Sequence, residues 1–209
     1  MTLTSSNPLI TKGVRQQVSF DEFKDEVIND YKLACISREV SLIGRKEVLT
    51  GKAKFGIFGD GKELPQIALA KVFENGDFRA GYYRDQTFAL ATGIVTVEQL
   101  FGQLYANPSS EEDPHSGGRQ MNNHFATRSL HADGSWKKLK YQKNTSADLS
   151  STAAQMPRSL GLALASKKYR ELQDKIGEND FSNKGNEVCF ATIGDASTSE
   201  GLFWEVINA

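Results

Sequence analysis

The sequence predicts an α/β fold in which a parallel sheet is flanked by helices, and three observations near its C-terminal end favour this fold. Residues 187–193 form a short apolar run of the kind found in buried parallel strands. Gly194 and Asp195 follow at once, where a strand would end and a helix begin. Ser197 and Glu200 have the spacing of a capping box, so they predict that a helix starts there.

Composition indicates one folded domain and excludes several kinds of partner. A chain of 209 residues with 39% hydrophobic and 24% charged residues can bury one core of ordinary size. Its formal net charge of −1 argues against a nucleic-acid-binding protein, which would carry a basic surplus. No apolar run approaches the length of a membrane span, and residues 1–8 lack the apolar stretch of a signal peptide. We therefore expect a cytoplasmic protein without membrane or nucleic-acid partners.

Residues 1–50 predict a helical N-terminal extension. Ser19 and Glu22 have capping-box spacing ahead of a long helical pattern. One face of that pattern is apolar, which predicts an amphipathic helix. The members of this face are Phe20, Phe23, Val27, Tyr31 and Ala34.

A second helix is predicted between a glycine-rich loop and an Asn-Gly turn. Residues 51–61 are rich in glycine and end in a loop signal. Asp60 and Glu63 then mark a helix start, and Asn75-Gly76 marks its end.

Two further segments complete the first half of the chain. Residues 78–83 are short, aromatic and apolar, so they form either a strand or a buried connection. Residues 86–106 have a helical pattern, and Thr96 with Gln99 marks a restart within it.

A long polar segment separates these elements from the last helix and strand. Residues 107–150 show little periodicity, and a loop of that length in a compact domain is usually functional or disordered. Within it, residues 117–125 mix glycines with hydrogen-bonding and aromatic side chains, which suits the wall of a ligand site. Residues 151–176 have a helical pattern, and Pro157 either opens this helix at its first turn or kinks it.

Asp195 is the leading candidate for a metal ligand. Mg²⁺ prefers oxygen ligands in near-octahedral geometry and usually keeps water and phosphate oxygens among them. A carboxylate beside the free amides of a helix start suits a phosphate group that such a cation bridges. The alternative is an ordinary helix-capping aspartate, and spacing alone does not separate the two.

Tyr83 and Arg84 are the leading candidates for binding phosphate. Arginine grips phosphate oxygens with a planar fork, and a neighbouring tyrosine donates one more hydrogen bond. The alternative is an ion pair of Arg84 with Asp85 or with another surface acid, with Tyr83 in the core. His124 is suited to donating to an oxyanion or shuttling a proton, and the alternative for it is a polar surface residue.

Four segments, in this order along the chain, resemble one enzyme family. They are residues 81–85, residues 118–121 with His124, residues 154–157 with Gly161, and residues 194–201 with Asn208. Over roughly residues 35–209 the chain resembles the α part of the thiamine diphosphate-dependent first component of 2-oxo-acid dehydrogenase complexes. The second segment is nearest to the branched-chain, or 2-oxoisovalerate, type. The sequence as a whole resembles bacterial members of the family in which the α and β parts are fused in one chain.

The resemblance implies a thiamine diphosphate-binding fold that holds the cofactor together with Mg²⁺. Asp195 would be the first magnesium ligand. Backbone amides of the turn around it would lie against the diphosphate, and a Tyr-Arg pair would hold the diphosphate from the other side. These residues are Gly194, Ala196 and Ser197 in the turn, with Tyr83 and Arg84 opposite.

Four more residues are assigned by the resemblance. Ser150 and Thr152 would lie near the thiazolium and aminopyrimidine rings of the cofactor. Gln120 and His124 would belong to a loop near the substrate channel.

The resemblance also implies an incomplete domain. Residues 1–209 would be the N-terminal portion of the domain that binds the diphosphate and magnesium, because Ala209 precedes the second half of the cofactor motif. We therefore expect the isolated chain to be inactive and to bind the cofactor weakly or not at all. We also expect exposed apolar surface around Phe203 and Trp204.

The implied activity is oxidative decarboxylation of a branched-chain 2-oxo acid, with transfer of the acyl group to lipoamide. The implied partners are a β part of the same enzyme, separate or fused, and a lipoyl acyltransferase component, within a homo-oligomer or heterotetramer. One alternative is a relative specific for pyruvate or acetoin. The other is a non-catalytic assembly module that keeps the same fold.

Overall fold

The structure is a computed structural model that describes residues 19–209. The chain divides into two compact units, Met1–Lys32 and Leu33–Ala209. Within the first unit, the described residues form the beginning of a long helix. The sheet, the core and the candidate site all belong to the second unit.

Three short parallel strands form the sheet of the described chain. They are β1 (Phe78–Ala80), β2 (Asn144–Thr145) and β3 (Cys189–Ala191), in the order β2-β1-β3. Both outer strands pair with β1 in parallel. The predicted parallel sheet is therefore confirmed, and β1 is its central strand rather than a connection. Parallel pairing also brings the carboxyl ends of all three strands to one edge of the sheet.

The last strand is less buried than its apolar sequence predicts. Cys189 and Phe190 are only partly buried, Ala191 is exposed, and Val188 just before them is 49% exposed. In the described part of the chain β3 pairs only with β1, so one of its edges has no neighbouring strand. The prediction of a fully buried strand is thus wrong for residues 19–209.

Helices surround this sheet, together with 3₁₀ turns at Leu139–Tyr141 and Asp195–Ser199. No helix within residues 19–209 combines the length and the apolar character that a membrane span requires. The α-helices are α1 (Phe20–Leu49), α2 (Glu63–Ala70), α3 (Gln86–Ala91), α4 (Val97–Leu104), α5 (Gln155–Glu171), α6 (Gln173–Ile176) and α7 (Gly201–Asn208).

Helix α1 begins where its capping box predicts. The Ser19 backbone N–H donates to the Glu22 carboxylate at 2.9 Å, and the Glu22 N–H donates to the Ser19 hydroxyl at 3.2 Å. The apolar face near its start is exposed, however, with Phe20 76% and Tyr31 69% accessible. The buried positions come later and are Ser37, Val40, Ser41 and Gly44.

The helical segment 86–106 is interrupted, as the sequence predicts. The Gln99 N–H donates to the Thr96 hydroxyl at 3.3 Å, and the Thr96 N–H donates to the Gln99 side chain at 3.0 Å. This capping box starts α4. Gly93, with a φ of 72°, supplies the left-handed turn between α3 and α4.

Helix α2 is shorter than predicted at its C-terminal end. It ends at Ala70, before the Asn75-Gly76 turn, and residue 62 rather than Asp60 precedes its first turn. Asp60 instead forms an ion pair with Arg45 at 2.5 Å.

Two predicted helix starts near the site are corrected. The helix predicted from residue 151 begins at Gln155, because Ala153 has a φ of 62° that a helix does not accept. Pro157 lies in its first turn, so it opens the helix rather than kinking it. The Ser197–Glu200 capping box is absent, since a 3₁₀ turn occupies 195–199 and α7 begins at Gly201 with no side-chain cap.

The core consists of two adjacent apolar clusters around α3. Val40, Ala89 and Phe125 belong to the first cluster, which also includes residues 95 and 100. In the second cluster, the Phe73 ring meets the rings of Phe88 and Phe190 edge-on at 5.1 and 5.2 Å. Helix α3 is thereby fixed between the second half of α1 and the sheet.

At the C-terminal end of the described chain, Trp204 of α7 is 57% exposed and Phe203 is partly buried, so the expected exposed apolar surface is present there.

A bidentate ion pair joins α1 to the start of α2. Arg38 Nε and Nη2 contact the two carboxylate oxygens of Glu63 at 2.7 and 3.0 Å. The Gly61 backbone N–H also donates to this carboxylate. The hydrogen bonds from Arg38 are the main cause that lowers the pKa of Glu63 to about 2.

We predict that Glu63→Gln lowers the free energy of unfolding by about 1–3 kcal/mol near neutral pH, because it removes a charge-assisted pair. The folded-state pKa lies below the unfolded value of 4.5, so this contribution is present above about pH 4.5 and is lost as the pH falls through about 2. Urea unfolding at a series of pH values measures it. Glu39→Gln, an exposed glutamate on α1, is the matched control. A destabilisation by Glu63→Gln that is the same at pH 7 and pH 2 would contradict the assignment.

Candidate functional site

A buried ion-pair network lies directly beneath the carboxyl edge of the sheet. Arg79 of β1 is only 1% exposed. Its guanidinium pairs with Asp85 at 2.8 Å and with Asp148 at 3.0 Å. Nη1 also donates to the Thr145 hydroxyl at 2.8 Å. Burial disfavours the charged guanidinium, but the two carboxylates more than offset this, and the net effect raises the pKa of Arg79.

The same network positions the loops that follow each strand. Asp85 accepts a hydrogen bond from the Tyr82 N–H at 3.0 Å and a short one from the Thr192 hydroxyl just after β3. Asp148, which follows β2, accepts from the Phe125 N–H at 3.0 Å. One cluster of charges therefore fixes the segments after all three strands.

Gly81 lets the Arg79 side chain reach these partners. A Cβ at position 81 would lie 1.7 Å from the Arg79 Cζ atom. Only glycine leaves room there, because the guanidinium group cannot move without leaving its carboxylates. The sequence analysis did not identify this network, and the only signal for it was the pair of acidic residues near strand ends.

Arg84 is not the partner of Asp85. The proposed ion pair between Arg84 and Asp85 is wrong, since Asp85 binds Arg79 instead. The Arg84 guanidinium lies over the rings of Tyr82 and Tyr83, at 5.9 and 5.6 Å from their centroids. Its Nε atom is buried and has no hydrogen-bond partner. A buried guanidinium N–H that lacks a partner is suited to an anionic ligand.

The backbone of this segment is held by Gln66 of α2. Its side-chain amide donates to the Arg84 carbonyl at 2.9 Å and accepts from the Phe88 N–H at 3.0 Å. The turn that carries Arg84 is thus anchored on both sides, and the guanidinium position follows from the fold rather than from a free loop.

Tyr82 is a site residue that the sequence analysis did not select. Its hydroxyl lies 3.1 Å from the place where a Cβ on Gly194 would stand, so the phenol closely approaches the turn after β3. Burial is the main cause that raises the pKa of Tyr82 to about 12, a hydrogen bond with Tyr83 adds to it, and the charge of Arg84 opposes it. The phenol therefore stays protonated at neutral pH.

A small cleft with a cavity volume of about 30 Å³, partly open to solvent, lies between these segments. It brings together Tyr83, Ser150, Thr152 and Ser197, four of the residues that the sequence analysis proposed for the cofactor. The cleft is lined by Gly81, Tyr82, Tyr83, Leu149, Ser150, Ser151, Thr152, Ala153, Gln155 and Ser197.

The turn after β3 forms one end of this cleft. Ser197 is buried, and its N–H donates to the Gly194 carbonyl at 3.0 Å, so that amide is already engaged. Asp195 and Ala196 are exposed. The Gln155 side chain donates to the Thr192 carbonyl at 2.8 Å and so ties the start of α5 to the end of β3.

Asp195 has no cluster of further side-chain ligands around it in the described chain. Within residues 19–209 no group of three or more His, Cys, Asp or Glu side chains is arranged to hold a metal ion. A cation at Asp195 would therefore need further oxygen ligands, such as a bound phosphate, water, backbone carbonyl groups or groups outside these residues.

His124 lies in the interior rather than on the surface. It is 2% exposed, and its Nε2 atom is 3.0 Å from the Ser150 hydroxyl at the cleft wall. The structure thus joins two residues that the sequence analysis placed in different roles. Gln120, from the same loop, is exposed.

Comparison with known proteins identifies the family of the chain. The dehydrogenase E1 component family model matches residues 31–209, so the chain belongs to that family. The chain is also similar to the 2-oxoisovalerate dehydrogenase subunit alpha of Bacillus subtilis (strain 168), with 28% identity over 189 residues. That match covers 88% of this chain and 46% of the relative, so the chain spans about half the length of the curated relative it matches.

We predict that Asp148→Asn lowers the free energy of unfolding by about 3–5 kcal/mol, because it leaves the buried Arg79 guanidinium with only one carboxylate. Chemical denaturation followed by circular dichroism measures the change. Asp174→Asn, at an exposed position of α6, is the control and should change stability by less than about 0.5 kcal/mol. Equal effects of the two substitutions would show that the network does not stabilise the fold.

Proposed function

We propose that this member of the dehydrogenase E1 family supplies the diphosphate-holding half of a thiamine diphosphate site in a 2-oxo-acid dehydrogenase. The observation that carries the proposal is the buried, unpartnered Nε of Arg84 beside two tyrosines that line the cleft. Family membership supports thiamine diphosphate as the ligand.

The charges around the cleft suit a phosphate group. Asp85 is committed to Arg79, so the positive charge of Arg84 has no carboxylate from that residue to neutralise it. The Tyr82 hydroxyl is protonated and lies close to Gly194. In our proposal Tyr83 and Arg84 bind the diphosphate from one side, and the turn of Gly194, Ala196 and Ser197 lies on the other.

Asp195 completes this half of the site as a magnesium ligand. Its carboxylate is exposed at the end of β3, next to the turn that would face the diphosphate. Asp195 would hold a divalent cation there, and the cation would neutralise negative charge on the diphosphate. The remaining ligands would be water and groups that lie outside residues 19–209.

The other end of the cleft would receive the cofactor's rings. Ser150 and Thr152 line this wall, and His124 lies directly behind Ser150. The loop that carries His124 and Gln120 would lie near the substrate channel. Thiamine diphosphate supplies the stabilisation of negative charge that lets carbon dioxide leave a 2-oxo acid, and these residues bind and orient it.

The proposed substrate is a branched-chain 2-oxo acid, and the proposed acyl acceptor is lipoamide. The similarity to a 2-oxoisovalerate dehydrogenase α subunit supports this choice over a pyruvate- or acetoin-specific relative. The proposed partners are a β part, separate or fused, and a lipoyl acyltransferase component, in the cytoplasm. Activity of the assembled enzyme on a panel of 2-oxo acids tests the choice, and a preference for pyruvate would overturn it.

A non-catalytic assembly module is the rival from another class of protein. A module that had lost its ligand would have no need to keep the Arg84 Nε–H buried without a partner, because an unsatisfied buried donor is costly. Arg84 therefore favours the binding function.

We predict that Arg84→Gln raises the Kd for thiamine diphosphate with Mg²⁺ roughly ten- to hundredfold, because one charge-assisted contact is lost. Calorimetric titration of the assembly with its β part measures this. Arg128→Gln, at an exposed position, is the control and should leave the Kd unchanged. Equal affinity of the Arg84→Gln variant and the unsubstituted protein would exclude the proposed diphosphate site.

We predict that Asp195→Asn weakens the Mg²⁺ dependence of cofactor binding, because an amide oxygen is a poorer ligand for a hard cation than a carboxylate. Titration of Mg²⁺ at fixed thiamine diphosphate should shift to at least roughly tenfold higher Mg²⁺ concentration. Asp174→Asn again serves as the control. An unchanged Mg²⁺ midpoint would exclude Asp195 as a magnesium ligand.

A further inference from the structure

We propose that His124 is a positioning residue that holds the Ser150 hydroxyl in one orientation, so that Ser150 offers the cleft a hydrogen-bond acceptor and not a donor. The orientation follows from contacts within the chain and does not depend on which ligand binds. The identity of the ligand group that Ser150 would meet rests on the proposed function.

The His124 ring is fixed by its surroundings. It is 2% exposed, and its backbone is clamped by Gln103 of α4. The Gln103 side-chain amide donates to the His124 carbonyl at 2.7 Å and accepts from the His124 N–H at 3.2 Å. The preceding residue, Asn123, has a φ of 61° and is itself buried. The positive φ of Asn123 and the two hydrogen bonds to the His124 backbone restrict the ring, so it cannot easily turn towards another hydrogen-bond partner.

The two ring nitrogens of His124 have different partners. Nδ1 lies 3.2 Å from the backbone carbonyl oxygen of Asn122. A carbonyl oxygen only accepts hydrogen bonds, so Nδ1 must carry the proton. In the neutral ring Nε2 then carries a lone pair. Because Nε2 is 3.0 Å from the Ser150 oxygen, the Ser150 hydroxyl must donate its hydrogen to it.

This assignment decides what Ser150 presents to the cleft. A hydroxyl has one hydrogen and two lone pairs, and here the hydrogen is directed towards His124. Ser150 lines the cleft with Tyr82 and Thr152, so only its lone pairs are left for a ligand. It should bind an N–H or O–H donor and disfavour an anionic oxygen. In the proposed cofactor site, this polarity places an amino-bearing ring at Ser150 and the phosphates at Arg84.

The orientation is tested by long-range ¹H–¹⁵N NMR of the chain labelled with ¹⁵N-histidine. The chain has three histidines, so the signals can be assigned by substitution. At a pH at which the ring is neutral, we expect the proton of His124 on Nδ1. Ser150→Ala should shift the Nε2 resonance, whereas Ser151→Ala, which alters the neighbouring residue of the same wall, should not. A proton on Nε2 of His124, or equal shifts in both variants, would overturn the inference.

The consequence for binding is tested with two probes, thiamine diphosphate and inorganic diphosphate, each with Mg²⁺. Inorganic diphosphate has no ring donor. We therefore expect Ser150→Ala to raise the Kd for thiamine diphosphate roughly fivefold to tenfold and to leave that for inorganic diphosphate unchanged. A similar loss for both probes would overturn the assigned polarity.

Two substitutions of His124 distinguish a role in orienting the Ser150 hydroxyl from a role in packing alone. His124→Gln can place an amide oxygen near the position of Nε2, so it should retain most of the affinity for thiamine diphosphate. His124→Asn keeps a donor near the position of Nδ1 but cannot reach Ser150, so it should behave like Ser150→Ala. Equal losses in the two variants would mean that His124 is only structural. If the unsubstituted assembly binds neither probe, the proposed function fails, and the NMR result alone decides the orientation of Ser150.

Discussion

The guanidinium group of Arg79 is buried at the centre of the sheet, where an unpaired positive charge would be very costly. Two carboxylates neutralise it, one from the loop after β1 and one from the segment after β2. Each carboxylate in turn accepts further hydrogen bonds, from the Tyr82 and Phe125 amides and from Thr192. Removal of either carboxylate leaves the buried guanidinium with only one of its two charged partners. The network therefore acts as one unit, and the segments that form the cleft depend on it.

The same network explains why Arg84 is available for a ligand. Asp85 is its sequence neighbour, but the Asp85 carboxylate is engaged by Arg79, by the Tyr82 amide and by Thr192. Arg84 is therefore left with two aromatic faces and a buried Nε that has no partner. Because the Asp85 carboxylate is fully engaged by the Arg79 network, it does not pair with the positive charge of Arg84. That positive charge makes the region beside the cleft suitable for an anion.

The two ends of the cleft differ in polarity for separate reasons. At one end, the protonated Tyr82 phenol lies near the turn after β3, and the Arg84 guanidinium lies against the Tyr82 ring. At the other end, the Ser150 hydroxyl lies against Nε2 of His124. The ion-pair network of Arg79 positions the side chains at the first end. The two hydrogen bonds from Gln103 to the His124 backbone position the second end. A ligand with an anionic tail and a neutral, donor-bearing head matches both ends, as the proposed cofactor does.

The sequence determined those features that depend on residues close together in the chain. The capping boxes at Ser19 and Thr96 were predicted correctly, because their bonds join positions three apart. The parallel sheet and the family were also predicted, since short motifs carry them. Only the tertiary structure decided which carboxylate pairs with which arginine, because Arg79 and Asp148 are 69 positions apart and meet only when β1 and β2 lie side by side. It also decided that His124 faces Ser150, for the same reason. Local propensity sets the turns, but the partner of a buried charge or ring nitrogen depends on strand order, which neighbouring residues do not encode.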